Sequence, residues 1–237
     1  MIRVENVTVG YYKEVPILKD VSIEAKKSKI TVIIGSNGSG KSTLLKTIYG
    51  LLKPFKGRIF YGSEDITGRE PYNLARMGIG FMFQERSIFP QMTVMENLEM
   101  GGWMYRRKPE ILREALEEVF NKYPVLKERM KEKAGNLSGG QQRILEIARL
   151  MMSRPKVILM DEPTAQLSPK ACKEVYDEIV RLRDEGITVI LVDQNVRSAL
   201  SIADYVYVLK EGSINQQGDG EIFRKKSKEL IKEWFLV

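Results

Sequence analysis

One stretch restricts the fold more than any other: ITVIIGSNGSGKST, residues 30 to 43. Ile30 to Ile34 are all β-branched and, Thr31 apart, apolar, the pattern of a short strand buried on both faces. The next eight residues, GSNGSGKS, fit G-x-x-x-x-G-K-[ST], a turn that hands the chain from a strand to a helix beginning at Lys41. Glycines at 35, 38 and 40 let the backbone curl until its N–H groups converge on one point. The positive end of the following helix, roughly half a charge, aims at the same point. The candidate phosphate cradle therefore runs from Gly35, Ser36 and Asn37 through Gly38, Ser39 and Gly40 to Lys41, Ser42 and Thr43. Lys41 reaches the terminal phosphates of a nucleotide, and the Ser42 hydroxyl suits Mg²⁺, which prefers oxygen ligands.

Short apolar strands recur along the chain with helices between them. Residues 2 to 9 and 17 to 25 alternate with period two, RIFYG near residue 58 reads as another strand, and MGIGFMF (77–83), VILMD (157–161), TVILV (188–192) and YVYVL (205–209) read as buried strands. From about Val94 to Leu150 the pattern turns helical, with Ile111, Leu112, Leu116, Val119 and Phe120 forming one stripe. A further helix is predicted over 170–184, with Cys172, Val175, Ile179 and Leu182 on one face, and one or two more over 219–235. The expected fold is α/β: a mostly parallel sheet covered on both faces, with the helical block inserted into it. No repeat or linker divides the 237 residues, so one domain spanning 1–237 is expected, with a helical subdomain at approximately 88–150.

No apolar run approaches the roughly 20 residues that span a bilayer, and the N-terminus lacks a signal-peptide pattern; a cytoplasmic protein is expected. The single cysteine excludes an internal disulfide, and the absence of histidine removes the commonest general base and most zinc sites. The net charge of +7 fits solvated helix faces, an anionic membrane face or nucleic acid; the basic residues are scattered among acids, which favours the first.

Two further stretches carry chemistry. VILMDE (157–162) is a strand ending in two acids: Asp161 suits Mg²⁺, and Glu162 suits polarising a water for attack on a γ-phosphate. In LSGGQQ (137–142), Ser138 occupies an N-cap position before a helix expected from about Gln141, and Gly139 and Gly140 leave N–H groups exposed. Two phosphate-binding ends far apart in one chain make sense if two subunits face each other head to tail.

GSNGSGKS, FQERSIFP, LSGGQQRILEIAR, VILMDEPTAQLSP and VILVDQNV together resemble the ATP-binding subunits of ABC transporters, over nearly the whole chain. The resemblance implies a P-loop NTPase core with an N-terminal antiparallel β-subdomain and an inserted α-helical subdomain. It implies that Tyr11, with Tyr12 as its rival, stacks on adenine, and that Gln84 joins Ser42 and Asp161 around Mg²⁺. Leu137, Ser138, Gly139, Gly140 and Gln141 would contact the partner subunit's ATP, and Leu167, Ser168 and Pro169 would link the two sites. Its implied partners are a second ATPase subunit, identical or not, and transmembrane permease subunits. An external binding protein would act indirectly, nucleic acid would take no part, and the subunit would sit peripherally on the cytoplasmic side of the membrane.

Where most of the superfamily has histidine, this chain has Gln194. DQNV, RSIFPQMTVMENL and IKEWFLV resemble the ATPases of importers for branched-chain and other hydrophobic amino acids. A glutamine amide donates a hydrogen bond to a phosphate oxygen but cannot become cationic, so proton removal falls to Glu162 or to the phosphate. Catalysis would thus rest on Glu162, Lys41 and Gln194. Gln166 and Glu85 stand where the family often has glycine, and a positive φ at Gln166 would be strained. An exporter ATPase, a soluble ABC ATPase and a scaffold without hydrolysis are the other readings.

Overall fold

The structure, a computed structural model, describes residues 1–12 and 14–225. The chain opens with β1 (Ile2–Val9) and β2 (Leu18–Ala25), then β3 (Ile30–Ile34), α1 (Lys41–Ile48), β4 (Lys56–Tyr61), β5 (Glu64–Asp65), α2 (Pro71–Arg76) and β6 (Ile79–Met82). Four helices follow: α3 (Val94–Gly101), α4 (Pro109–Lys122), α5 (Pro124–Glu128) and α6 (Gly139–Met151). The remainder is β7 (Val157–Asp161), α7 (Pro169–Asp184), β8 (Thr188–Val192), α8 (Val196–Ile202), β9 (Tyr205–Lys210) and β10 (Ser213–Asp219).

The strands form two sheets. β2-β1-β4-β5 is antiparallel, as the one-sided alternation of Ile2, Val4, Val7 and Val9 requires. The six-stranded sheet has the order β10-β9-β3-β8-β7-β6; β9 through β6 are parallel, and only the β9–β10 hairpin is antiparallel. Strands β3, β7 and β8 inside it and β6 at its edge are buried throughout. Along β3, Ile33 faces the core shared with α1 and the antiparallel sheet, while Ile30, Val32 and Ile34 face the core under α7 and α8. Because these strands are parallel, their C-terminal ends all emerge along one edge, where ligands of such sheets bind.

The helical segment between β6 and β7 has its own apolar cluster, including Leu98, Leu116, Phe120 and Leu145. Its entry is fixed by a capping box in which Thr93 and Glu96 satisfy each other's backbone N–H groups. α6 joins the two regions: Leu145 and Ala148 pack in the helical cluster, and Ile147 packs under the parallel sheet. The expected α/β architecture is present, with three differences. α6 starts at Gly139, two residues earlier than expected; α2 and α8 occupy segments with no strong period; and β10 precedes the C-terminal helix. That helix is seen at residues 220–225; the rest of the 219–235 expectation lies outside the described residues. Among the described residues no helix is long and apolar enough to cross a membrane.

Candidate functional site

The turn after β3 wraps the N-terminus of α1. Gly40 caps it at φ 103, a conformation that suits glycine, and a Cβ there would lie 2.5 Å from Leu18. No side chain caps the first turn of α1 and no acid lies in it, so its leading N–H groups are left for an anion. Lys41 is buried and curls back on the turn, its Nζ donating to the carbonyls of Gly35 (3.0 Å) and Ser36 (2.9 Å). Burial lowers its pKa, against the opposing pull of Glu162 and Asp161. Ser39 and Thr43 are buried within the turn, and among the described residues the Ser39 hydroxyl has no partner.

At the tip of β7, Asp161 accepts a hydrogen bond from Ser42 Oγ at 2.9 Å. Burial raises the Asp161 pKa; the Ser42 hydrogen bond opposes this, Glu162 adds to it, and Lys46 and Lys41 oppose it. The donor set fits Mg²⁺. Adjacent ligands of an octahedral ion with bonds of 2.0–2.1 Å lie about 3 Å apart, and hard oxygens are what it selects. A cavity of about 350 Å³ opens beside them, lined also by Gln84 and Lys46.

The next residue, Glu162, is buried and strained, with φ 48 and its N–H bonded to the Val192 carbonyl at 2.8 Å. Its carboxylate is held by two amides. Gln84 Nε2 donates to Oε2 at 2.9 Å, and Gln194 Nε2 lies 2.8 Å from both Oε1 and Oε2. Gln84 thereby keeps its own amide oxygen free to face a cation. The three polar residues after β8 divide their tasks. Asp193 turns inward to accept from Thr164 Oγ1 and the Asn195 N–H, and Asn195 caps α8. Gln194 alone points at the carboxylate.

The LSGGQQ end lies elsewhere. Ser138 caps α6 in a full capping box: its hydroxyl accepts from the Gln141 N–H, and Gln141 Oε1 accepts from the Ser138 N–H. The Gly139 and Gly140 N–H groups open toward a cavity of about 520 Å³ lined by Ser138, Gln141, Gln166, Ser168 and Lys170. No residue of the 35–43 turn lines that cavity. Leu137 differs from the other four residues of this set: it is buried in the helical cluster, so only its backbone faces outward. Tyr11 and Tyr12 are exposed beyond β1, free of the sheets. Gln166 stands at φ 61, the strained conformation its position implied.

Comparison with known proteins decides the family. The profile named ABC transporter matches residues 18–165. The chain belongs to the ABC transporter family. It is an ATPase of that family, with the P-loop α/β fold. It is 40% identical over 219 residues, 92% of each chain, to the probable branched-chain amino acid transport ATP-binding protein LivF of Archaeoglobus fulgidus. The ADP conformation of the ATP-binding cassette MJ1267 superposes with a TM-score of 0.90 at 35% identity, covering 100% of this chain and 98% of that one. The dimeric structure of the cassette MJ0796 superposes at 0.76 with 29% identity, covering 92% and 98%.

Sequence reading missed Arg143. It is buried on α6, ion-paired to Glu146 at 2.7 Å, and donates to the carbonyls of Phe83, Gln84, Glu162 and Pro163. One guanidinium thus ties α6 to both the Gln84 loop and the β7 tip. The available signal was an Arg–Glu pair at i,i+3 among the apolar residues of a helix: Leu145, Ile147 and Ala148 surround it.

Proposed function

We propose that this cassette powers an importer for branched-chain or other hydrophobic amino acids. It would bind MgATP on the 35–43 turn of one subunit and close head to tail on the LSGGQQ end of another. The observation that carries this reading is the separation of the two anion-binding ends: they line different cavities of one chain, Ser42 of the turn in one and Ser138 to Gln141 in the other. The dimeric form of MJ0796 supports it. The cargo class rests on the likeness to the LivF protein. The second ATPase subunit is identical or closely related, the whole chain serves as one ATPase domain, and the 88–150 region is its helical subdomain.

In this reading the Lys41 ammonium and the N–H groups of the turn hold the β- and γ-phosphates. Ser42, Asp161 and the Gln84 amide oxygen would hold Mg²⁺, which when bound neutralises charge on the phosphate oxygens. Tyr11, or its neighbour Tyr12, stacks on adenine. Glu162 orients the attacking water and takes its proton; Gln194, neutral at every working pH, positions Glu162 and then the γ-phosphate. Ser138, Gly139, Gly140 and Gln141, with the Leu137 backbone, meet the partner's nucleotide. The segment Glu85–Phe89 receives a permease element; Phe89 is exposed there and Ile88 is half-buried. The subunit would work at the cytoplasmic face of the membrane, with an external binding protein acting through the permease.

The test is Glu162→Gln. Phosphate release should fall about 10²–10⁴-fold, the range for losing a general base, while ATP still drives dimerisation in light scattering. Unchanged phosphate release would show that another group is the base. Cargo is tested by uptake of labelled leucine in cells with and without the chain; equal uptake removes the amino-acid assignment.

A further inference from the structure

Arg86 lies two residues beyond Gln84, and its guanidinium crosses the N-terminus of α6. Nη1 donates to Gln142 Oε1 at 2.6 Å. Gln142 is itself buried and immobilised, its Nε2 donating to the Leu137 carbonyl at 3.0 Å and to two carbonyls of residues 134 and 135. The amide oxygen is thus a fixed acceptor that sets where Arg86 stands. Nη2 sits against bare Gly139: a Cβ there would lie 2.9 Å away. Any side chain at 139 would displace the guanidinium.

That position is electrostatically odd. A helix N-terminus is positive and disfavours a cation. α6 has no acid in its first turn, and among the described residues no carboxylate lies within ion-pair distance of Arg86. Among the described residues that line the cavity, Glu174 is the one acid, its Oε2 3.7 Å from the Cβ position of Gly140, and Lys170 lines the cavity with it. Two positive groups held side by side, with free N–H bonds between them, are stable together once a multiply charged anion joins them. Arg86 also lines the cavity beside Ser42, Gln84 and Asp161, so the same loop faces both nucleotide positions.

We propose that Arg86 binds the terminal phosphate of the nucleotide held by the other subunit, adding a side-chain cation to the LSGGQQ helix end. This rests on the head-to-tail reading above. Loading Gln84 in one site and Arg86 in the other would then report on a single loop, which ties the two sites to each other.

The experiment uses the full chain carrying Glu162→Gln, so that ATP persists. Sedimentation measures the ATP-driven dimer constant, fluorescence of a labelled ATP measures monomer binding, and melting measures the nucleotide-free monomer. Arg86→Ala should weaken the dimer about 10- to 100-fold, the loss of a charge-assisted phosphate contact. Monomer ATP affinity should stay within error, monomer Tm should fall by no more than a few degrees because the buried Gln142 Oε1 loses its donor, and Arg86→Lys should recover part of the dimer loss. Dimerisation within twofold of the parent overturns the proposal. So does a deficit accompanied by an equal loss of monomer stability, the mark of a brace for Gln142. Ser138→Glu serves as the control: if it dimerises like the parent, the head-to-tail reading itself fails, whatever Arg86→Ala does.

Discussion

Replacing Gln194 by glutamate changes one group and little volume, and the geometry fixes the consequence. Gln194 Nε2 is 2.8 Å from both oxygens of Glu162. An oxygen there removes a donor and sets two carboxylates at hydrogen-bond distance. At that separation two unit charges repel by about 6 kcal/mol with an effective dielectric constant of 20. Residue 194 is exposed, so solvent screening reduces this to about half, about 3 kcal/mol. The pair relieves the repulsion by holding a proton that the unfolded chain releases. Its folded affinity for protons is therefore raised, and stability falls as pH rises. Relative to the parent, the deficit should open above about pH 4.3, the ordinary glutamate value, and level off about two pH units higher. At pH 8 that is a Tm lower by about 6–12 °C for a chain of this size. The assay is paired melting of nucleotide-free parent and variant from pH 5 to 8.5. Gln194→Ala should give a smaller, pH-independent deficit. Parallel curves for Gln194→Glu and parent across the range would refute the amide–carboxylate contact and, with it, the place of Gln194 beside the base.

Other substitutions probe neighbouring parts. Gln166→Gly removes the left-handed strain at φ 61 and should raise Tm by about 2–4 °C for the roughly 1 kcal/mol released; a fall in Tm would mean the Gln166 side chain contributes more than its backbone costs. Gly140→Ala places a Cβ 2.8 Å from that of Ala171, pressing α6 off α7, and should cost about 1–3 kcal/mol in denaturant titration. Asp161→Asn keeps an acceptor for Ser42 while removing a charge that burial disfavours. Because the Asp161 pKa is raised in the fold, its ionisation costs stability above the unfolded value, so the variant should melt higher at neutral pH, the gain fading toward pH 4, while ATP turnover is lost. Tyr123→Phe removes the hydroxyl that donates to buried Glu178, which keeps Lys122 and Arg181; a loss of about 1.5–3 kcal/mol should appear in the same titration.

Much of the fold was legible because its inner strands are apolar on both faces and bounded by abrupt polar residues: Ile34 into Gly35, Met160 into Asp161, Val192 into Asp193. β10 was not legible. SINQQGD has no apolar alternation, since an edge strand in a hairpin is held through its backbone to β9 and exposes most of its side chains. α2 is six residues long, without a side-chain cap, and leaves too weak a period to read. At the site, the identities of Lys41, Asp161 and Glu162 could be read because the turn motif and a strand tip each carry their chemistry locally. The hold of Gln84 and Gln194 on Glu162 could not, because it depends on register across three strands. β7 pairs with β8 so that Asp161 lies opposite Val192, and β6 pairs with β7 so that Met82 lies opposite Met160. Those pairings bring residues one or two places beyond each strand, Glu162, Gln194 and Gln84, to a single point. The register is set by buried apolar strands that carry no catalytic group, because a slip of one residue would turn every inner side chain to the wrong face. The chemistry at the sheet edge is therefore positioned by hydrophobic packing several residues away. Core substitutions such as Met160→Ala or Val192→Ala should accordingly disturb Glu162 before they unfold the chain.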